Sequence, residues 1–212
     1  MQRGNWLVRG VALWVLLTTA SLTMADTIYF SGDNGTDFFK GEMSYDKDKN
    51  VLSITLENVQ SSQYITAFVF NIAGNAKATL DPSSAGNFVG LQNHSADPYG
   101  TFDAGAAIGG AWNGGGNPNP GISQGESHTF LFNIEILDPD LELDVQDFFS
   151  EFSTGGSHSA IFAVRFRGGT SAKIPGDFDE LRITQIVPLP AGGWGGLALL
   201  GVIGAARLRR SA

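Results

Sequence analysis

The 212-residue chain contains no cysteine. That excludes a disulfide framework, a thiolate zinc site and a cysteine nucleophile. It says nothing about compartment, because an oxidising environment permits disulfides without requiring them. Basic residues are also scarce, at 13 against 21 acids. Five of them, Arg3, Arg9, Arg207, Arg209 and Arg210, sit at the two ends, so residues 26–190 hold 8 basic and all 21 acidic residues, net −13. Nucleic acid and anionic lipid both require a basic face, so neither is expected as a partner. His94, His128 and His158 are isolated, with neither His-x-His nor His-x-x-x-His spacing, and are expected as loop or strand-edge residues. The body has no long apolar run.

At the first end, Arg3 and Arg9 precede a short apolar run from Val11 to Leu17, and Thr23-Met24-Ala25 follows with small residues at the minus-three and minus-one positions. This is the pattern of a secretory signal peptide over residues 1–25, with cleavage before Asp26 or, as the alternative, after Ala20. The run is too short and its downstream flank too polar for a first transmembrane helix.

The last twenty-six residues read in three parts. Val187-Pro188-Leu189-Pro190-Ala191-Gly192 is stiff, because proline fixes φ and biases its predecessor to extended geometry. Gly193 to Ala206 is 14 uncharged residues, about 21 Å as a helix against a hydrocarbon core of about 30 Å. Arg207, Arg209 and Arg210 close residues 207–212 as a basic stop, which belongs on the cytoplasmic side and leaves the body outside.

This tail resembles the PEP-CTERM sorting signals of Gram-negative bacteria, in the variant whose motif reads Val-Pro-Leu-Pro-Ala. The resemblance implies that Val187, Pro188, Leu189, Pro190 and Ala191 are the recognition motif, that the helix is a temporary anchor, and that an exosortase-type transpeptidase removes it. Leu189 stands where the founding motif has glutamate. A plain single-span anchor that is never cut is the alternative. The logic parallels lipid-anchor signals, whose apolar tail is absent from the mature product.

Between these ends, residues 26–186 read as one domain, long enough for a core of its own. Strands are expected at Thr27–Phe30, Phe38–Tyr45, Val51–Leu56, Tyr64–Ile72, Ser127–Leu137, Ala160–Phe166 and Leu181–Val187, with shorter ones around Ala78–Leu80, Phe88–Leu91 and Ala106–Trp112. Leu52, Ile54 and Leu56 alternate with Ser53 and Thr55, and Phe130, Phe132, Ile134 and Ile136 alternate with Leu131, Asn133 and Glu135. Asp46-Lys47-Asp48-Lys49-Asn50 has hairpin character. Asp144 is a candidate N-cap for one short helix placing Val145, Phe148, Phe149 and Phe152 on one face. The expected fold is all-β, an antiparallel β-sandwich with one short helix. The body is also similar, loosely, to extracellular sandwich domains that precede such tails, through Leu52–Asn58, the approach to Phe130-Leu131-Phe132, and Asp147–Phe152 before Arg165-Phe166.

No catalytic set can be assembled. Gly121-Ile122-Ser123-Gln124-Gly125 has the letters of a nucleophile elbow without the strand before and helix after that the strained turn needs. Glu57 and Glu135 are two strand carboxylates that imitate a glycosidase pair only in type. Asp46-x-Asp48-x-Asn50 with Glu57 copies the oxygen-ligand spacing of an EF-hand, but Val51 stands where the sharp turn needs glycine. No cofactor is expected; the one opening is calcium at the acidic bend Asp138-Pro139-Asp140-x-Glu142-x-Asp144. Residues 73–125 are rich in glycine and asparagine, and Tyr99 and Trp112 in this stretch either pin it to the sheets or form a sugar-stacking platform. The expectation is a non-enzymatic exported protein of the cell surface or extracellular matrix, associated with exopolysaccharide or biofilm. Its partners would be the secretion machinery and the transpeptidase. A carbohydrate-binding or adhesive module is the alternative.

Overall fold

The structure is a computed structural model and describes residues 26–182. The signal peptide, the sorting tail and the far end of the expected strand Leu181–Val187 lie outside the described residues. Eleven strands form one antiparallel sheet: β1 Thr27–Asp33, β2 Phe38–Asp46, β3 Val51–Gln60, β4 Tyr64–Phe70, β5 Ala76–Leu80, β6 Phe88–Ser95, β7 Gly100–Ile108, β8 Ser127–Ile136, β9 Thr154–Gly155, β10 Phe162–Arg167 and β11 Ala172–Arg182. Their order is β5-β8-β3-β2-β1-β11-β10-β4-β7-β6, with β9 beside β7.

The sheet doubles over on itself at β11. Residues 172–176 pair with β10, and residues 177–182 pair with β1. The handover falls at Pro175-Gly176, where proline gives up a ladder donor and glycine lets the strand bend. Where an antiparallel β-sandwich is expected, the structure has one continuous antiparallel sheet whose two halves share this long strand. At the far side β5 and β6 meet without a ladder, and the Gln92 side-chain amide donates to the Ala78 carbonyl. The short, partly covered edges leave little backbone free to pair with another chain.

Strand alternation places the core between the layers. On β2, Phe39, Gly41, Met43 and Tyr45 are buried; on β3, Leu52, Ile54, Leu56 and Asn58; on β8, Phe130, Phe132 and Ile134. Phe68 of β4 meets Phe130 at 4.7 Å and Phe132 at 6.1 Å between ring centroids, so the opposing layers interdigitate through aromatic rings. Phe162 of β10 touches Phe30 (4.6 Å), Phe39 (6.5 Å), Phe68 (5.9 Å) and Phe149 (6.3 Å) and sits at the hub. On β7, Gly105 lies so close to the Phe68 carbonyl and Val69 of β4 that a Cβ could not fit.

β4 is buried on both faces, because its outer side carries a second core of Ala67, Val69, Leu91, Ala96, Tyr99, Phe102, Ala107, Trp112, Ala160 and Ala163. The expected helix is smaller than its sequence suggests. Asp144 caps a single 3₁₀ turn, Val145–Phe148, in a reciprocal box with Asp147. Val145, Phe148 and Phe149 are buried, but Phe152 is 61% exposed. The 3₁₀ turn ends before residue 152, so the helical face drawn through it does not exist.

Candidate functional site

The sorting motif Val187–Ala191 and the stop Arg207, Arg209 and Arg210 lie outside the described residues. Within 26–182, the densest gathering of polar side chains around an irregular segment is the glycine-rich loop on the outer face of β4, β7 and β10. Ala67, Ala107 and Ala163 keep that face shallow, which makes room for an indole. Gly109 and Gly110, at φ 73° and 72°, turn the chain back over the sheet in a conformation that favours glycine. Trp112 then lies fully buried.

Every polar group of Trp112 is engaged. Its indole Nε1 donates to the Asp97 carbonyl at 3.1 Å, and its backbone N–H donates to His94 Nε2, also at 3.1 Å. His94 therefore accepts through Nε2, which places its ring proton on Nδ1 in the neutral form. The Trp112 carbonyl accepts from the Arg165 guanidinium. Arg165 is 8% exposed, and its other donors reach Ser171 Oγ at 3.3 and 3.4 Å. Arg167 holds the next stretch, donating to the Gly116 carbonyl at 2.9 Å and to Gly115 at 3.4 Å. The arginine pair clamps main-chain carbonyls and has no carboxylate partner among the described residues. Burial, with the Arg167 charge adding to it, holds the Arg165 guanidinium below its ordinary range.

Tyr99 is 8% exposed and donates its hydroxyl to the Lys173 carbonyl at 2.9 Å. Lys173 Nζ in turn pairs with Asp97 at 3.2 Å. Of the two roles open to Tyr99 and Trp112 in the sequence, the geometry is that of pins: neither ring offers an open face for a sugar to stack on.

The remaining candidates are spread apart. Ser123 donates to Glu126. His128 Nε2 donates to the Ser84 carbonyl at 2.7 Å, and its ring packs on Phe130. Glu57 pairs across to Ser127 and Glu135 lies eight residues further along β8, about 26 Å away at strand rise and far beyond glycosidase spacing. Asp46 Oδ1 accepts from the Asp48 and Lys49 backbone N–H groups and Oδ2 from Lys49 Nζ at 2.6 Å, which makes the EF-hand-like segment a capped hairpin turn. Asn50 takes the positive φ of 52° that this turn needs, and Val51 starts the next strand. In the acidic bend, Asp138 accepts from the Asp140 N–H and Asp144 from the Gln146 N–H. Among the described residues no three His, Asp or Glu side chains are grouped to hold a metal ion.

Sequence reading missed one buried polar network. Asp37, 2% exposed, accepts from Ser61 Oγ, from Gln63 Nε2 at 3.1 and 3.2 Å, and from Asn34 Nδ2 at 3.3 Å. Asn58 beside it donates to the Gln63 carbonyl at 2.8 Å and to Ile122 at 3.1 Å, which ties the end of the glycine-rich stretch to β3. The tertiary partners of Asp37 lie 24 and 26 residues away in the sequence.

Two tyrosines give the domain a pH dependence. Burial raises the Tyr45 phenol, with the Asp46 charge adding to it, and burial raises Tyr99. The unfolded chain then loses these protons first. The stability they contribute is fully present below the ordinary value of 10.0 and is lost as pH climbs from there through the folded values. Urea midpoints should fall in that alkaline window, and Tyr45→Phe should flatten the fall.

The class defined by these features is an all-β antiparallel domain whose long loop is locked down by buried side chains. Compared with protein-family models, with curated proteins and with solved structures, the chain gives no match.

Proposed function

We propose that this is an exported, non-enzymatic protein of the cell surface or extracellular matrix, delivered by a signal peptide and handled at its C-terminus by an exosortase-type transpeptidase. The observation that carries the reading is the three-part tail: the motif Val187–Ala191, the short apolar stretch 193–206 and the arginines after it. Arg182, the last described residue, stands five positions before Val187 in the sequence. A net −13 body suits an extracellular matrix better than a polyanion surface, and exopolysaccharide is the associate that this setting offers.

Fractionation tests the reading. Pro188→Ala combined with Pro190→Ala should leave the protein in the inner membrane with its C-terminal tail uncut, while the parent chain loses the tail and leaves the membrane. Equal processing of both would remove the motif from the account.

A further inference from the structure

We propose that Asn34 is a self-modifying position, converting to aspartate or isoaspartate within the folded protein. The chain has two Asn-Gly pairs, Asn34-Gly35 and Asn113-Gly114, and only the first is surrounded by groups that assist the reaction. The Gly35 N–H donates to Asp33 Oδ1 at 2.6 Å, so a carboxylate is in place to take its proton. Asn34 Oδ1 accepts from the Thr36 and Asp37 backbone N–H groups at 2.9 and 2.8 Å. Two fixed donors thus face the oxygen on which negative charge builds as the amide carbon becomes tetrahedral. Asn34 itself is exposed, so water reaches it.

The step balances. The Gly35 nitrogen, its proton passed to Asp33, bonds to Asn34 Cγ. The Cγ–Nδ2 bond breaks, and the nitrogen leaves as ammonia carrying that proton. Solvent water then opens the cyclic imide at either carbonyl, giving aspartate or isoaspartate. At the second pair the Gly114 N–H is committed to the Ala111 carbonyl at 2.9 Å, and Gly114 is pressed against the Arg167 guanidinium. No carboxylate bonds to that N–H.

The product alters the buried network. Conversion removes the Asn34 Nδ2 donor from Asp37 and sets a second carboxylate beside one that is 2% exposed. Isoaspartate also lengthens the backbone at the end of the β1–β2 pair, where Asp33 faces Phe38. The modification would therefore act as a slow clock that loosens this corner of the sheet.

Peptide mapping by mass spectrometry tests the proposal on the full chain, held folded and denatured in parallel at mildly alkaline pH. In the denatured chain both asparagines should convert at similar rates. In the folded chain Asn34 should continue while Asn113 falls at least about tenfold behind, and Asp33→Ser should slow Asn34 by about a hundredfold, the low end of what a positioned base contributes. If that variant unfolds, Asn113 will speed up to its denatured rate, and Asp33→Asn, which keeps a side-chain acceptor for the Gly35 N–H and removes the base, replaces it as the test. Retention of the Asn34 amide in the fold while the denatured chain converts, or equal conversion at both sites, overturns the proposal.

Discussion

Phe162→Ala is expected to cost about 3–5 kcal/mol of folding stability, the range for emptying an aromatic site in a close-packed core. Its ring is fully buried and touches four other phenylalanines drawn from both layers and from the residue that ends the 3₁₀ turn. Those neighbours sit on β1, β2 and β4 and at Phe149, so no single element can move to fill the space. For a domain of this size the loss corresponds to a fall in Tm of roughly 10 °C. Phe152→Ala is the control. At 61% exposure it should stay within about 0.5 kcal/mol of the parent. Urea unfolding of both variants checks the pair, and a Phe152 loss as large as that of Phe162 would contradict the packing described.

Trp112→Ala should come close in size, at about 3–5 kcal/mol, with a distinct signature. The indole is the centre of the outer-face core, and its backbone is held by His94 and Arg165. Removing it frees the loop from Gly109 to Gly121, so proteolysis there should accelerate more than global unfolding explains. Trp112→Phe keeps most of the packing and drops only the bond to the Asp97 carbonyl, a loss of about 1–3 kcal/mol for an acceptor left unpaired. If Trp112→Ala left stability unchanged but abolished binding to a glycan, the indole would be a ligand contact and not a pin.

The strands with clean alternation were legible. Leu52, Ile54 and Leu56 on β3, and Phe130, Phe132 and Ile134 on β8, face inward as period-2 spacing requires. β11 was not. Its Pro175, Gly176, Asp177, Asp179 and Glu180 are poor strand formers, and only their place between β10 and β1 holds them extended. β7 was legible only at its end, where residues 106–108 fall within the short strand expected around Ala106–Trp112. Ala104 and Gly105 look like loop residues until the close approach of β4 shows why small ones are needed there. The helix was overextended because Phe152 fits a 3.6-residue period that the chain abandons after Phe148. In the site, the pinning role of Tyr99 and Trp112 could be read from spaced aromatics in a glycine-rich stretch. The arginines that clamp it could not, because Arg165 and Arg167 meet residues more than fifty positions away. Asp37 was invisible for the same reason: nothing local marks a carboxylate whose donors come from the turn after β3.

Both termini are interpreted as delivery segments, with the acidic sheet as the finished molecule. Intact mass spectrometry of the protein recovered from the native cell surface tests this most directly. A mass that begins at Asp26 and stops near Ala191, with any attached group added, is the predicted result. A surface molecule still carrying Trp194 and Arg207, Arg209 and Arg210, or a full-length chain confined to the cytosol, would contradict it.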